Sequence, residues 1–307
     1  MAEAAQYFSS GNGNCSGSGG DDNRSSELVL SQLPKASGWL KAGVTLYQNC
    51  WFPSNALPNI ISFQKQFKAD DQDIILASNP KSGTTWLKAL LFSILNRTDC
   101  SPSNTPLLTS NPHQLVPSFE FTLYSNPKRH DLNVMSSPRL VSTHIPYSSF
   151  PNSIKHSKCR IVYICRNPLD VIISIWHFVN NGHPDRFWKA SLEKPEKVLF
   201  LKYEDLKEDT FFQARRIAEF VGFPFSKEEE CNGVIEQILE LCSLSKLKEL
   251  DVNKHGQMRP NFENKLFFRK GKLGDWVNHL SPSMVERVDK VMKEKLGDSG
   301  LSFKMSS

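Results

Sequence analysis

The sequence contains no Cys-x-x-Cys pair, no run of eighteen apolar residues and no large excess of either charge. Its seven cysteines, Cys15, Cys50, Cys100, Cys159, Cys165, Cys231 and Cys242, are scattered and odd in number. That usage indicates neither a zinc site nor a disulfide framework and suits reduced thiols in the cytoplasm. Without an apolar run of spanning length the chain is expected to have no membrane segment. Acidic Glu3 and the missing apolar stretch near it argue against a secretory leader. A net charge of +5 is too mild to imply nucleic acid, though it favours a small anionic ligand over a cationic one. Also lacking are a Gly-x-x-x-x-Gly-Lys-Ser/Thr loop and an evident magnesium carboxylate after a strand, which argues against a phosphoryl-transferring kinase.

What is present suits a globular domain. The 307 residues are 39% hydrophobic and 10% aromatic, enough for a sizeable core. Residues 1–26 are dominated by Gly, Ser and Asn and are expected to be a disordered tail, with one domain over 27–307. A short helix at Glu27–Leu33, stopped by Pro34, leads to the aromatics Trp39, Tyr47, Trp51 and Phe52. These either pack on the core or line an apolar pocket.

The chemistry concentrates where strands run out. Ile74–Ala77 reads as a buried strand and Trp86–Leu95 as a helix, with Pro80, Lys81, Ser82, Gly83, Thr84 and Thr85 in the turn between them. Such a turn offers unpaired amides, a helix dipole and an ammonium to an anion; an ordinary connection with a capping threonine has the same composition. A long polar stretch follows from Arg97 to Pro138, with one helical turn at His113–Val116, and reads as a lid or pocket wall. Strand Arg139–Ser142 places His144 just past its carboxyl end, where open parallel sheets bind ligands.

Strand Arg160–Cys165 runs into Arg166-Asn167-Pro168 and a helix on which Ser174 shares a face with Asp170. A fourth strand, Lys197–Tyr203, precedes amphipathic helices at Thr210–Val221 and Lys227–Leu241, and a last helix covers Pro282–Leu296. The strand–helix alternation predicts an α/β fold with a central parallel sheet flanked by helices on both faces. Between Lys254 and Lys272 six basic residues face the single Glu263. This is either a solvated basic loop or a flap in which Arg269-Lys270-Gly271 clamps a phosphate.

Four segments together resemble the cytosolic sulfotransferases. They are Pro80–Trp86, Thr143-His144-Ile145-Pro146, Cys165-Arg166-Asn167-Pro168 through Ser174, and Arg269–Trp276; Leu201–Leu206 looks most like the plant branch. The resemblance implies a P-loop-like sulfotransferase fold and transfer of a sulfuryl group from 3′-phosphoadenylyl sulfate (PAPS). The acceptor would be a hydroxyl of a small apolar molecule such as a flavonoid, steroid or oxylipin, in the cytoplasm and with no metal. It implies His144 as general base and Lys81 as stabiliser of the leaving phosphate oxygen. Lys81, Ser82, Gly83, Thr84 and Thr85 would hold the 5′ side of the donor, and Arg166, Ser174, Arg269, Lys270 and Gly271 the 3′-phosphate. Trp86, Tyr203, Cys242, Ser243 and Leu244 would enclose the adenine, with Leu244 where the family usually has phenylalanine.

The chain departs from the family between Phe178 and Trp188, where related enzymes carry roughly thirty more residues that wall the acceptor pocket. The alternative is therefore a non-catalytic relative that keeps the nucleotide site and has lost part of its acceptor pocket. No interface is recognisable, so the oligomeric state stays open.

Overall fold

The computed structural model describes residues 32–37, 43–125, 132, 135–175, 184–259 and 262–304, with the side chains at 173–175, 184 and 259 excepted. The expected tail, most of the Glu27–Leu33 helix, Trp39 and the stretch 176–183 lie outside the described residues. The chain divides into two compact units, 1–57 and 58–307.

In the first unit the aromatics sit on an antiparallel sheet the sequence reading did not foresee: β1 Lys35–Ala36, β2 Val44–Tyr47 and β3 Cys50–Pro53. Gln48 and Asn49, at φ 50° and 59°, close the β2–β3 hairpin. Two consecutive positive φ values are what a two-residue hairpin of the native twist requires.

The second unit is the α/β domain. Its sheet has β4 Ile74–Ser78, β5 Leu140–Thr143, β6 Arg160–Cys165 and β7 Val198–Lys202, all parallel, in the order β5-β4-β6-β7. Because β5 and β6 flank β4 on opposite sides, Ala77 stands opposite Thr143 and Ser78 opposite Ile164. Three loops therefore start side by side at the carboxyl edge, at Asn79, His144 and Arg166, in the crevice where open sheets bind ligands.

Both faces of the sheet are covered, which is why these strands read as continuous apolar runs. On one face Ile74, Leu76, Val162, Ile164, Leu199 and Leu201 pack with Leu87, Leu90, Leu91 and Ile94 of helix Thr84–Asn96. Helices Thr210–Phe220 and Val234–Leu241 add Ala214, Ile217, Ile235 and Ile238 to the same core. The opposite face carries Tyr163 and Phe200. Helix Pro184–Glu193 covers it: Phe187 stacks on Tyr163 with centroids 4.0 Å apart, and Trp188 meets Phe200 edge-on at 5.2 Å. Tyr163, Phe187 and Phe200 are all buried in this layer. Phe187→Ala is expected to cost about 3–5 kcal/mol in urea denaturation, because the stacked ring leaves a cavity over Tyr163.

Two readings of the C-terminal half are corrected. The helix expected over Lys227–Leu241 is interrupted at Asn232–Gly233, giving Lys227–Cys231 and Val234–Leu241. The basic segment is no plain loop: helix Asp251–His255 leads to a hairpin of β8 Gln257–Arg259 and β9 Phe262–Glu263, then a 3-10 turn at Asn264–Phe267.

Candidate active site

The turn after β4 is shaped by backbone conformation. Lys81 adopts φ 67° and Gly83 φ 101°, both left-handed, and helix Thr84–Asn96 begins at the next residue. A Cβ on Gly83 would lie 2.7 Å from the Tyr203 ring, so only glycine fits. The first helical bond runs from the Leu87 N–H to the Gly83 carbonyl at 3.0 Å. Helix geometry gives the preceding amides no helical acceptor, which leaves the positive end of the helix facing the turn.

A cavity of about 330 Å3 opens in front of this turn. It brings together Lys81, Gly83, Thr84, Thr85, Trp86, His144, Arg166, Tyr203, Leu244, Arg269 and Gly271 of the residues expected from sequence, with Pro80, His113, Phe262, Leu266 and Phe267 besides. Trp86 meets Tyr203 edge-on at 5.6 Å, and the Tyr203 hydroxyl donates to the Gly271 carbonyl at 3.0 Å. Gly271, at φ 61°, passes so close to Leu244 that a Cβ would come within 2.4 Å of it.

Other expected residues fall elsewhere. Cys242 is buried in the core with its thiol 3.3 Å from the Ser93 hydroxyl, and burial pushes that thiol up to about 12. Ser243 caps helix Leu244–Glu249 by accepting from the Lys246 amide at 3.2 Å. Of the expected Cys242-Ser243-Leu244 segment, Leu244 alone lines the cavity. Ser82 is buried behind the turn and Lys270 points its ammonium at Asp275, 2.9 Å away. The Ser174 side chain lies outside the described residues.

On one side of the cavity cations converge. Arg166 pairs with Asp170 at 3.0 Å and lies over the Tyr203 ring at 4.6 Å. Arg269 pairs with Asp275 at 2.7 Å. Asp170 also accepts from the Gly274 amide at 3.0 Å and the Trp276 amide at 3.3 Å, tying the basic flap to the end of β6. The two cations beside Asp275 hold its carboxyl well below the usual carboxylate range. Burial lowers the Lys81 ammonium from its ordinary value, and the charges of Arg269 and then Arg166 lower it further. Among the described residues, the Nε atoms of both arginines are buried without a hydrogen-bond partner. Buried donors of this kind, beside mutually repelling cations, suit a ligand carrying several negative charges.

On the other side stands His144. Its Nδ1 is 2.8 Å from the Ser78 carbonyl oxygen, which can only accept, so Nδ1 carries the proton and Nε2 keeps its lone pair. Burial lowers this imidazole from its ordinary value, against the opposing charge of Glu120 and the bond to Ser78. A neutral ring with one basic nitrogen can take a proton.

Three residues of this corner were not singled out from sequence. Glu120, buried in the π-type turn Phe119–Leu123, accepts from the His144 amide at 2.7 Å and the Thr143 hydroxyl at 3.0 Å, and so fixes the loop bearing the histidine. Lys88 and His113 form a bonded pair behind Thr85. A lysine on an otherwise apolar helix face was the one legible signal.

A family model described as the sulfotransferase domain matches residues 71–186 and 182–300. The Arabidopsis thaliana protein Cytosolic sulfotransferase 15 is 44% identical over 311 positions, covering 91% of this chain and 87% of its own. Among solved structures, an Arabidopsis thaliana sulphotransferase superposes with a TM-score of 0.73 at 37% identity, covering 95% of this chain and all of that one. A retinol dehydratase complex with androsterone and the inactive cofactor PAP shares the fold at TM-score 0.62 and 22% identity, over 92% of this chain and 96% of that one. The strand-end turn, the cation cluster and the histidine thus stand in a chain that belongs to the sulfotransferase family, in the branch of the plant cytosolic enzymes.

Proposed function

We propose that this protein is a cytosolic enzyme that transfers a sulfuryl group from PAPS to a hydroxyl of a small apolar acceptor. The carrying observation is the meeting of Lys81, Arg166 and Arg269, with two unpartnered guanidinium Nε atoms, across one cavity from a histidine whose Nε2 lone pair is free of its tautomer bond. The residues fit the donor at both ends: the Thr84 amide end and Lys81 suit its 5′ side, and Arg166 and Arg269 suit a 3′-phosphate. Trp86, Tyr203 and Leu244 provide apolar walls for a purine.

When bound, PAPS supplies an activated sulfuryl group and a bisphosphate leaving group. His144 Nε2 accepts the proton of the attacking hydroxyl, and the Ser78 carbonyl steadies the ring as it becomes cationic. Lys81 counters the charge that grows on the leaving oxygen. Phe262, Leu266 and Phe267 give the cavity an apolar wall, and the Phe121 ring lies 6.3 Å from the His144 ring, which favours an apolar acceptor.

The short passage from Phe178 to Trp188 in the sequence favours one competing reading, a protein that binds the nucleotide without turnover. Incubation with sulfur-labelled PAPS and a panel of phenols, flavonoids, sterols and hydroxylated fatty acids separates the two. Label transfer to at least one acceptor is expected; none, with intact binding of adenosine 3′,5′-bisphosphate, would leave the non-catalytic reading standing.

A further inference from the structure

Behind the cavity wall, Lys88, His113 and Thr85 form a chain of hydrogen bonds that the reaction above leaves unused. Lys88 is 2% exposed, and its ammonium donates to the Val116 carbonyl at 2.7 Å. The same nitrogen lies 3.1 Å from His113 Nδ1. In its ammonium form Lys88 only donates, so in that form Nδ1 accepts and the ring proton sits on Nε2. Nε2 in turn is 2.9 Å from the Thr85 hydroxyl oxygen. The ring is held in place by stacking on Phe267, 3.9 Å between centroids and 21° between planes. With its oxygen already accepting, Thr85 turns its single proton away from His113, and Thr85 lines the cavity.

We propose that Lys88 and His113 are positioning residues that fix the Thr85 hydroxyl as a donor toward the anionic 5′ side of the bound nucleotide. This rests on the reading of the cavity as a PAPS site. The opposite histidine tautomer would draw the Thr85 proton to itself and present oxygen lone pairs to the anion, so the pair decides whether Thr85 attracts or repels. Burial pulls Lys88 down to about 7, against the opposing charge of Glu120. Methionine removes the buried ammonium but leaves the Val116 carbonyl and His113 Nδ1 without this donor, so Lys88→Met is expected to lose some stability as well.

The test titrates the full chain with adenosine 3′,5′-bisphosphate by calorimetry and follows thermal unfolding in parallel. Lys88→Met is expected to bind roughly 10- to 100-fold more weakly, the loss of one hydrogen bond to a charged group, with the unfolding trace checking that the variant is folded at the titration temperature. Thr85→Val should show a similar loss, and the Lys88→Met/Thr85→Val double variant no further loss, because both remove the same donor. His113→Phe keeps the ring on Phe267 and leaves the Thr85 hydroxyl unoriented but able to donate, so its loss should be real but smaller than that of Thr85→Val, which covers a Lys88→Met chain that does not fold. Wild-type affinity in these variants, or additive losses in the double variant, would overturn the relay alone. A wild type that fails to bind the nucleotide would overturn the PAPS reading and the relay with it.

Discussion

Replacing His144 with alanine is expected to lower the rate of sulfuryl transfer by about 10²- to 10⁴-fold, the usual contribution of a positioned general base, while nucleotide affinity stays nearly unchanged. The separation follows from where the ring stands. It is anchored by the Ser78 carbonyl and faces the cavity beside Phe121, whereas the cations gather around Arg166 and Arg269. A large loss of affinity for adenosine 3′,5′-bisphosphate in His144→Ala would show that the histidine belongs to the donor site instead. Because burial depresses this imidazole, it stays neutral and basic until the pH falls below the ordinary histidine value of about 6.5. The acid limb of kcat/KM should therefore lie below 6.5 in the wild type. The same sign governs folding. A histidine whose folded value is lowered contributes stability that is complete above about 6.5 and is lost as the pH falls toward that lowered value. His113, pushed down chiefly by its burial, acts in the same direction, so acid unfolding should begin in that window.

How far the sequence reveals this site depends on whether neighbouring residues or distant ones decide it. The four parallel strands were legible because each is a short β-branched run buried on both faces, and their observed ends differ from the expected ones by a residue or so. Their order was not, since pairing β4 between β5 and β6 depends on how the helices pack. Lys81, Gly83 and Thr85 could be read from one turn. Glu120 could not, because its task is to bond the amide and hydroxyl of residues more than twenty positions later. Cys242 and Ser243 were placed at the adenine by resemblance to a motif, whereas local rules use them otherwise: the thiol is a small apolar group in the core and the serine a helix cap. The hairpin at Gln257–Glu263 escaped because its strands are very short and rich in charge, without the alternation that marks a strand.

Lys81→Ala is expected to reduce both turnover and donor affinity, with turnover falling about 10²- to 10³-fold if the ammonium acts where the leaving oxygen gains charge. Two costs are built into this residue. Its backbone is held at φ 67°, a conformation that strains any side chain with a Cβ, and its charge is buried near those of Arg166 and Arg269. A polyanion relieves the second cost, which makes the turn most favourable when the donor is bound. Lys81→Gly distinguishes backbone from charge: glycine takes φ 67° without steric strain, so this variant should be about 1 kcal/mol more stable than Lys81→Ala in chemical denaturation. Turnover should remain as low in the glycine variant as in the alanine one, since neither carries the ammonium. Recovery of transfer in Lys81→Gly would mean that the turn's shape, and not the lysine charge, supports the leaving group.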